Sequence, residues 1–121
     1  MKRCLIVDDS KIIRVVVRKI MQDFGFDVDE AETGTKAVTK CADAMPDVVL
    51  LDWGLPDDNG ISVLRQIKSR SDADQTVILF CTTRSDQAHM QEALDAGAFD
   101  YVIKPFDGET IHQKLSSAGL I

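Results

Sequence analysis

Val48-Val49-Leu50-Leu51 runs without interruption into Asp52, and a loop carrying Pro56 and Gly60 follows at once. A continuous apolar run closed by turn residues reads as a strand buried on both faces. Strands of that kind belong to parallel sheets with helices packed on both sides. Asp52 then stands where the buried strand meets solvent, with apolar walls behind its carboxylate and open space in front.

The remainder of the chain alternates around this strand. Residues 2–7 form a first strand that ends in Asp8-Asp9-Ser10. Ser10 suits a helix N-cap. Ile12, Ile13, Val16, Val17, Ile20, Met21 and Phe24 then recur at helical spacing as one inward face, and Gly25 closes the helix. Residues 26–31 are a short strand, apolar on alternate positions, whose acids suit a sheet edge. Gly34 opens a second helix with Ala37, Val38, Cys41 and Met45 inward, and Pro46 stops it. The central strand covers residues 47–51. Gly60 begins a third helix with Ile61, Leu64 and Ile67 inward, followed by a polar loop over residues 69–75. Residues 76–81 make a fourth strand. Ser85 is expected to cap a fourth helix with Met90, Ala93 and Leu94 inward, closed by Gly97. Residues 98–103 make the fifth strand, and the last helix turns Ile111 and Leu115 inward ahead of Gly119.

Strict alternation of strands and helices predicts a single α/β domain over residues 1–121: a doubly wound, five-stranded parallel sheet of (βα)5 form. The polar second strand must be an edge and the three apolar runs central. With right-handed crossovers, the order 2-1-3-4-5 satisfies this, with a switch point between strands one and three. The chain of 121 residues is 45% hydrophobic, enough for one core. It shows no apolar run of membrane-spanning length and no signal peptide, which predicts no membrane partner. Cys4, Cys41 and Cys81 are odd in number and lack metal-ligand spacing, so they read as free thiols of a reducing cytoplasm. A net charge of −6 argues against a nucleic-acid surface.

In a parallel sheet all strand C-termini share one rim. Asp8 and Asp9 follow the first strand, Asp52 the third, Thr82 the fourth and Lys104 the fifth. Such folds bind ligands at this rim, at the switch point. Three neighbouring carboxylates repel each other unless a cation intervenes. Magnesium, with manganese as a substitute, favours one or two carboxylates plus water and phosphate oxygens. Asp9 and Asp52 would be direct ligands and Asp8 a ligand through water, and the Gly54 backbone carbonyl could add another oxygen. Lys104 adds a fixed charge worth about 4 kcal/mol at about 4 Å in an effective dielectric near 20. Thr82 can donate a hydrogen bond to a phosphoryl oxygen. Nucleophile, metal, cation and donor are the parts of phosphoryl transfer.

With these residues in place, the chain resembles CheY-like receiver domains of the response-regulator family over essentially its full length. The matching motifs are Asp8-Asp9, Asp52 within Leu-Leu-Asp-Trp-Gly-Leu-Pro, Thr82, Tyr101 and Lys104-Pro105. The strand order is the one already known for flavodoxin-like and CheY-like folds. The resemblance implies a stand-alone cytoplasmic response regulator with no output domain. It would be a phosphoacceptor and not an enzyme in its own right. Its partners would be a sensor histidine kinase or histidine phosphotransfer protein and a downstream target protein, of chemotaxis type or not. It implies Asp52 as the acceptor and Asp8, Asp9, Asp52 and the Gly54 carbonyl as the magnesium site. Lys104 would contact the phosphoryl group, while Thr82 and Tyr101 would switch the surface of the fourth helix, fifth strand and fifth helix. A monomer is expected, with phosphorylation-dependent dimerisation as the alternative. A phosphate sink or relay intermediate is the alternative role.

The chain departs from the usual pattern at Gly54, Asn59, Thr83 and Arg84. Gly54, Thr83 and Arg84 are expected to line the entrance and set the lifetime of the phosphorylated state. A haloacid-dehalogenase-like phosphohydrolase would need an acid two residues after Asp52, where Gly54 stands. A flavodoxin-like carrier would place a phosphate where Asp8 and Asp9 repel it. Taken singly, each rim residue has a plain structural reading, as cap, turn acid or solvated lysine. Trp53 is expected beside the site, partly exposed. His89 and His112 are expected at the surface, and Asp57 and Asp58 as solvated loop acids.

Overall fold

The computed structural model describes residues 2–83 and 86–121. Ten elements alternate along the chain: β1 (Arg3–Val7), α1 (Lys11–Asp23), β2 (Asp27–Ala31), α2 (Gly34–Asp43), β3 (Val48–Asp52), α3 (Gly60–Lys68), β4 (Val77–Thr82), α4 (Gln87–Asp95), β5 (Asp100–Ile103) and α5 (Gly108–Ser117). All strand pairs are parallel, and the order is β2-β1-β3-β4-β5. This is the predicted α/β topology, with acidic β2 at one edge. Each apolar run of the middle strands is buried on both faces because helices cover the sheet from two sides. One core layer packs Val49, Leu51, Ile78 and Phe80 against α2, α3 and α4. The other packs Ile6, Leu50, Leu79 and Val102 against α1 and α5.

Side-chain caps start the helices as local chemistry requires. Ser10, Thr33, Asn59 and Asp107 each accept from a backbone N–H in the first turn of α1, α2, α3 and α5. Asn59, noted above only as a departure from pattern, is thus the α3 cap. The expected Ser85 cap of α4 lies outside the described residues; Asp86 holds the N-cap, accepting from the His89 N–H at 3.1 Å. Gly60 has no alternative: a Cβ there would lie 2.8 Å from the Asp52 carbonyl oxygen and from Trp53 Cα.

Two expected helix faces and one strand end are corrected. On α1 the buried residues are Val17 and Met21, whereas Ile12 is 76% and Val16 51% exposed. The apolar stripe is wider than the sheet beneath it can cover. On α4 the inward residues are His89 and Ala93, while Leu94 is exposed and Met90 only half-buried. The helix is therefore rotated from the orientation its largest apolar side chains suggest. Asp52 is the last residue of β3, paired with Cys81 of β4, not the first residue of the loop.

Candidate phosphoryl-transfer site

The rim is set by strand register. Val7 pairs with Leu51, so Asp8 emerges beside Asp52. Thr82 pairs with Ile103, and the Lys104 N–H donates to the Thr82 carbonyl at 2.8 Å. The Trp53 N–H donates to the Cys81 carbonyl and the Gly60 N–H to the Trp53 carbonyl, so the β3–α3 loop leaves the sheet in a fixed direction. Gly54 and Asn59 close that loop as an isolated bridge.

Asp8, Asp9 and Asp52 each offer an oxygen within 4.8 Å of the others. Asp8 is buried, Asp52 half-buried and Asp9 exposed. Lys104 Nζ donates to Asp8 Oδ2 and to Asp52 Oδ1, both at 2.8 Å. The other Asp8 oxygen accepts from the Ser10 N–H at 2.9 Å. Burial pushes the Asp52 carboxyl up; the Lys104 hydrogen bond and charge pull it down, and Asp8 and Asp9 push it up again, leaving it raised. For Lys104, burial works to lower the ammonium, and its bonds to Asp52 and Asp8 prevail, leaving it raised. The lysine therefore stays charged and neutralises part of a cluster that burial alone would disfavour.

This donor set fits a hard divalent cation. It consists of carboxylate oxygens only, and exposed Asp9 leaves one side open for water and phosphate oxygens. Asp8, Asp9 and Asp52 would hold magnesium, which supplies charge neutralisation for a phosphoryl oxygen. Gly54 is exposed, and nothing lies within 4 Å of where its Cβ would be. Thr83 is exposed and lines a pocket with Lys104 and Phe106. Arg84, expected at the same entrance, lies outside the described residues. The Lys104–Pro105 peptide is cis.

Thr82 is buried, and its Oγ1 lies 3.1 Å from Nε2 of His89. His89 is only 5% exposed, which corrects the expectation of a surface histidine. Its ring meets Trp53 edge-on, with centroids 5.4 Å apart, and a tilted Phe80 at 5.6 Å. The sequence carried one signal of this: His89 stands one turn before Ala93, on the helix face that must pack inward. Tyr101 is half-buried on β5, packed against the core layer beneath α2, α3 and α4, with Lys114 Nζ 5.5 Å from its ring centroid. Asp57 is a loop acid, as expected. It is exposed, yet it accepts from Gly34 N–H, Thr35 N–H and the Thr35 hydroxyl at 2.6–3.0 Å. That tie anchors the loop after Asp52 to the start of α2.

Comparison with known proteins gives the family and the fold. Residues 4–116 match the family model described as the response regulator receiver domain. The chain is 36% identical to the chemotaxis protein CheY of Bacillus subtilis over 115 residues, 94% of each chain. It is 35% identical to CheY of Thermotoga maritima, covering 95% of each. It also matches the phosphate regulon transcriptional regulatory protein PhoB of Rhizobium meliloti, at 33% identity, over 44% of that protein's length. Among solved structures, Vibrio cholerae CheY4 superposes with a TM-score of 0.92 at 33% identity over 98% of both chains.

Proposed function

The chain belongs to the response-regulator receiver family, whose members take up a phosphoryl group in phosphorelay signalling, and on that premise we propose that Asp52 is the acceptor. A receiver works with a histidine kinase or a phosphotransfer protein. In the step we assign, an Asp52 carboxylate oxygen attacks phosphorus in line, the N–P bond of a phosphohistidine breaks, and the imidazole leaves with a proton from solvent. The observation that carries this reading is the two 2.8 Å bonds from Lys104 to Asp8 and Asp52. They support it because they hold the Asp52 carboxylate in one orientation with an ammonium beside it. Asp8 and Asp9, with Asp52 and the Gly54 backbone carbonyl, would hold magnesium.

Phosphorylation would draw the Thr82 hydroxyl toward the new phosphoryl oxygens and let Tyr101 turn inward, altering the α4-β5-α5 face. Reversing a 1:99 equilibrium takes about 5.5 kcal/mol of differential interaction. Two or three charge-assisted hydrogen bonds at about 1.5–3 kcal/mol each are of that size. The relatives matched nearly end to end are named as chemotaxis proteins, which supports a chemotaxis-type target. Three buried free thiols suit a cytoplasmic setting. No helix among the described residues is long and apolar enough to cross a membrane.

The test is labelling by acetyl phosphate in magnesium buffer. Wild type is expected to take up one phosphoryl group and Asp52→Ala none. Equal labelling of the two overturns the assignment.

A further inference from the structure

The backbone of Thr82 cannot carry the motion that its switch role requires. It is the last residue of β4, paired with Ile103, and its carbonyl accepts from the Lys104 N–H at 2.8 Å. Only the side chain is available to move. In the resting structure the Thr82 hydroxyl lies 3.1 Å from His89 Nε2. The imidazole is itself held in place: it is buried between Trp53 and Phe80, and the Asp86 side chain accepts from its backbone N–H. Trp53 follows Asp52 directly, so the same ring touches the residue beside the acceptor and the hydroxyl beside the phosphoryl position.

We propose that His89 is a positioning residue that holds the Thr82 hydroxyl in its resting place and so sets the balance between resting and switched states. This rests on the receiver reading of Asp52 and Thr82 given above. The phosphoryl group and the imidazole compete for one hydroxyl. With Nε2 unprotonated, the hydroxyl donates to the ring, and its one proton cannot serve a phosphoryl oxygen at the same time. Breaking the resting bond lowers the threshold for the switched state, and the apparent affinity for a phosphoryl group rises with the fraction of competent molecules.

The test uses magnesium with beryllofluoride, a non-transferable stand-in for the phosphoryl group, titrated against the full chain. His89→Leu keeps most of the buried volume and removes the ring nitrogen. It is expected to bind beryllofluoride about fivefold more tightly than wild type, the factor one net hydrogen bond of ordinary strength supplies. His89→Gln brings its side-chain amide near the Nε2 position, where the amide oxygen accepts from the Thr82 hydroxyl, and is expected to return the affinity to the wild-type value. In a Thr82→Ala background, His89→Leu is expected to change nothing, because no hydroxyl remains to be held. His89→Asn, too short to reach Thr82, replaces the leucine variant should that one fail to fold, with the same expected tightening. An unmoved affinity in the variants, a glutamine variant that behaves like leucine, or a shift that persists in Thr82→Ala overturns the proposal while leaving the receiver reading intact. A folded wild type that takes neither beryllofluoride nor phosphoryl label overturns that reading and this proposal with it.

Discussion

Two carboxylates of this protein are moved in opposite directions, and each movement can be measured. Asp52 is raised by burial and by its acidic neighbours despite Lys104. A carboxyl raised in the folded state favours folding at low pH and opposes it once both states are ionised. Asp52→Asn is therefore expected to melt above wild type at pH 7 in metal-free buffer, with the difference shrinking as pH falls toward the range where Asp52 protonates. Thermal melts across pH check this; a variant that melts lower at pH 7 contradicts it. Asp57 behaves oppositely. Its bonds to Thr35 and Gly34 bring it down from 3.8 to about 2. Its contribution is complete above pH 3.8 and is lost as pH falls through about 2. Asp57→Ala is expected to melt below wild type at pH 7, and the gap should narrow between pH 4 and pH 2. A gap independent of pH would show that the Asp57 charge does not hold the loop. Nothing in the sequence announces this tie, because Asp57 and Thr35 are 22 positions apart and both read as ordinary surface residues.

At the scale of the elements, strands were legible and helix faces less so. Val48 to Leu51 reads as a strand buried on both sides, because the run is short, partly β-branched and closed by turn residues, with no polar face to turn to water. The acids of β2 identified the edge. Helical periodicity, however, shows where a helix is apolar and not how much of that stripe a neighbour covers, which is why Ile12 and Val16 read as core in the sequence and stand exposed in the fold. The α4 face went wrong for a related reason. His89 is buried there against Trp53 and Phe80 with Nε2 beside the Thr82 hydroxyl, contacts between elements that hydrophobicity does not encode. The rim itself was legible because parallel strands deliver their C-termini to one edge whatever the side chains are. Gly60 offers the sharpest element-scale prediction. A methyl group there meets backbone at 2.8 Å on two sides and the Phe80 ring at 2.9 Å. Gly60→Ala is expected to lose about 1–3 kcal/mol by denaturant unfolding, since the start of α3 must move off the end of β3. Gly54→Ala, with open space around the site, is expected to unfold within about 0.5 kcal/mol of wild type. Equal losses at the two glycines would contradict this packing.

For the whole molecule, the sheet brings together residues far apart in sequence, with Lys104 96 positions from Asp8. A cation that binds those carboxylates in the folded state alone stabilises the entire domain. Magnesium at about 100 times its dissociation constant should add about 2.7 kcal/mol. That gain should vanish in Asp9→Asn combined with Asp52→Asn, as read by melting with and without the metal. The central claim is that the gathered rim acids let one carboxylate take a labile phosphoryl group. The most direct measurement is to label the protein with acetyl phosphate, reduce the acyl phosphate with borohydride and locate the reduced residue by peptide mass spectrometry, with and without a magnesium chelator. The account predicts modification at Asp52 alone, lost on chelation. Modification at Asp8 or Asp9, or at Asp52 equally well without magnesium, would contradict it.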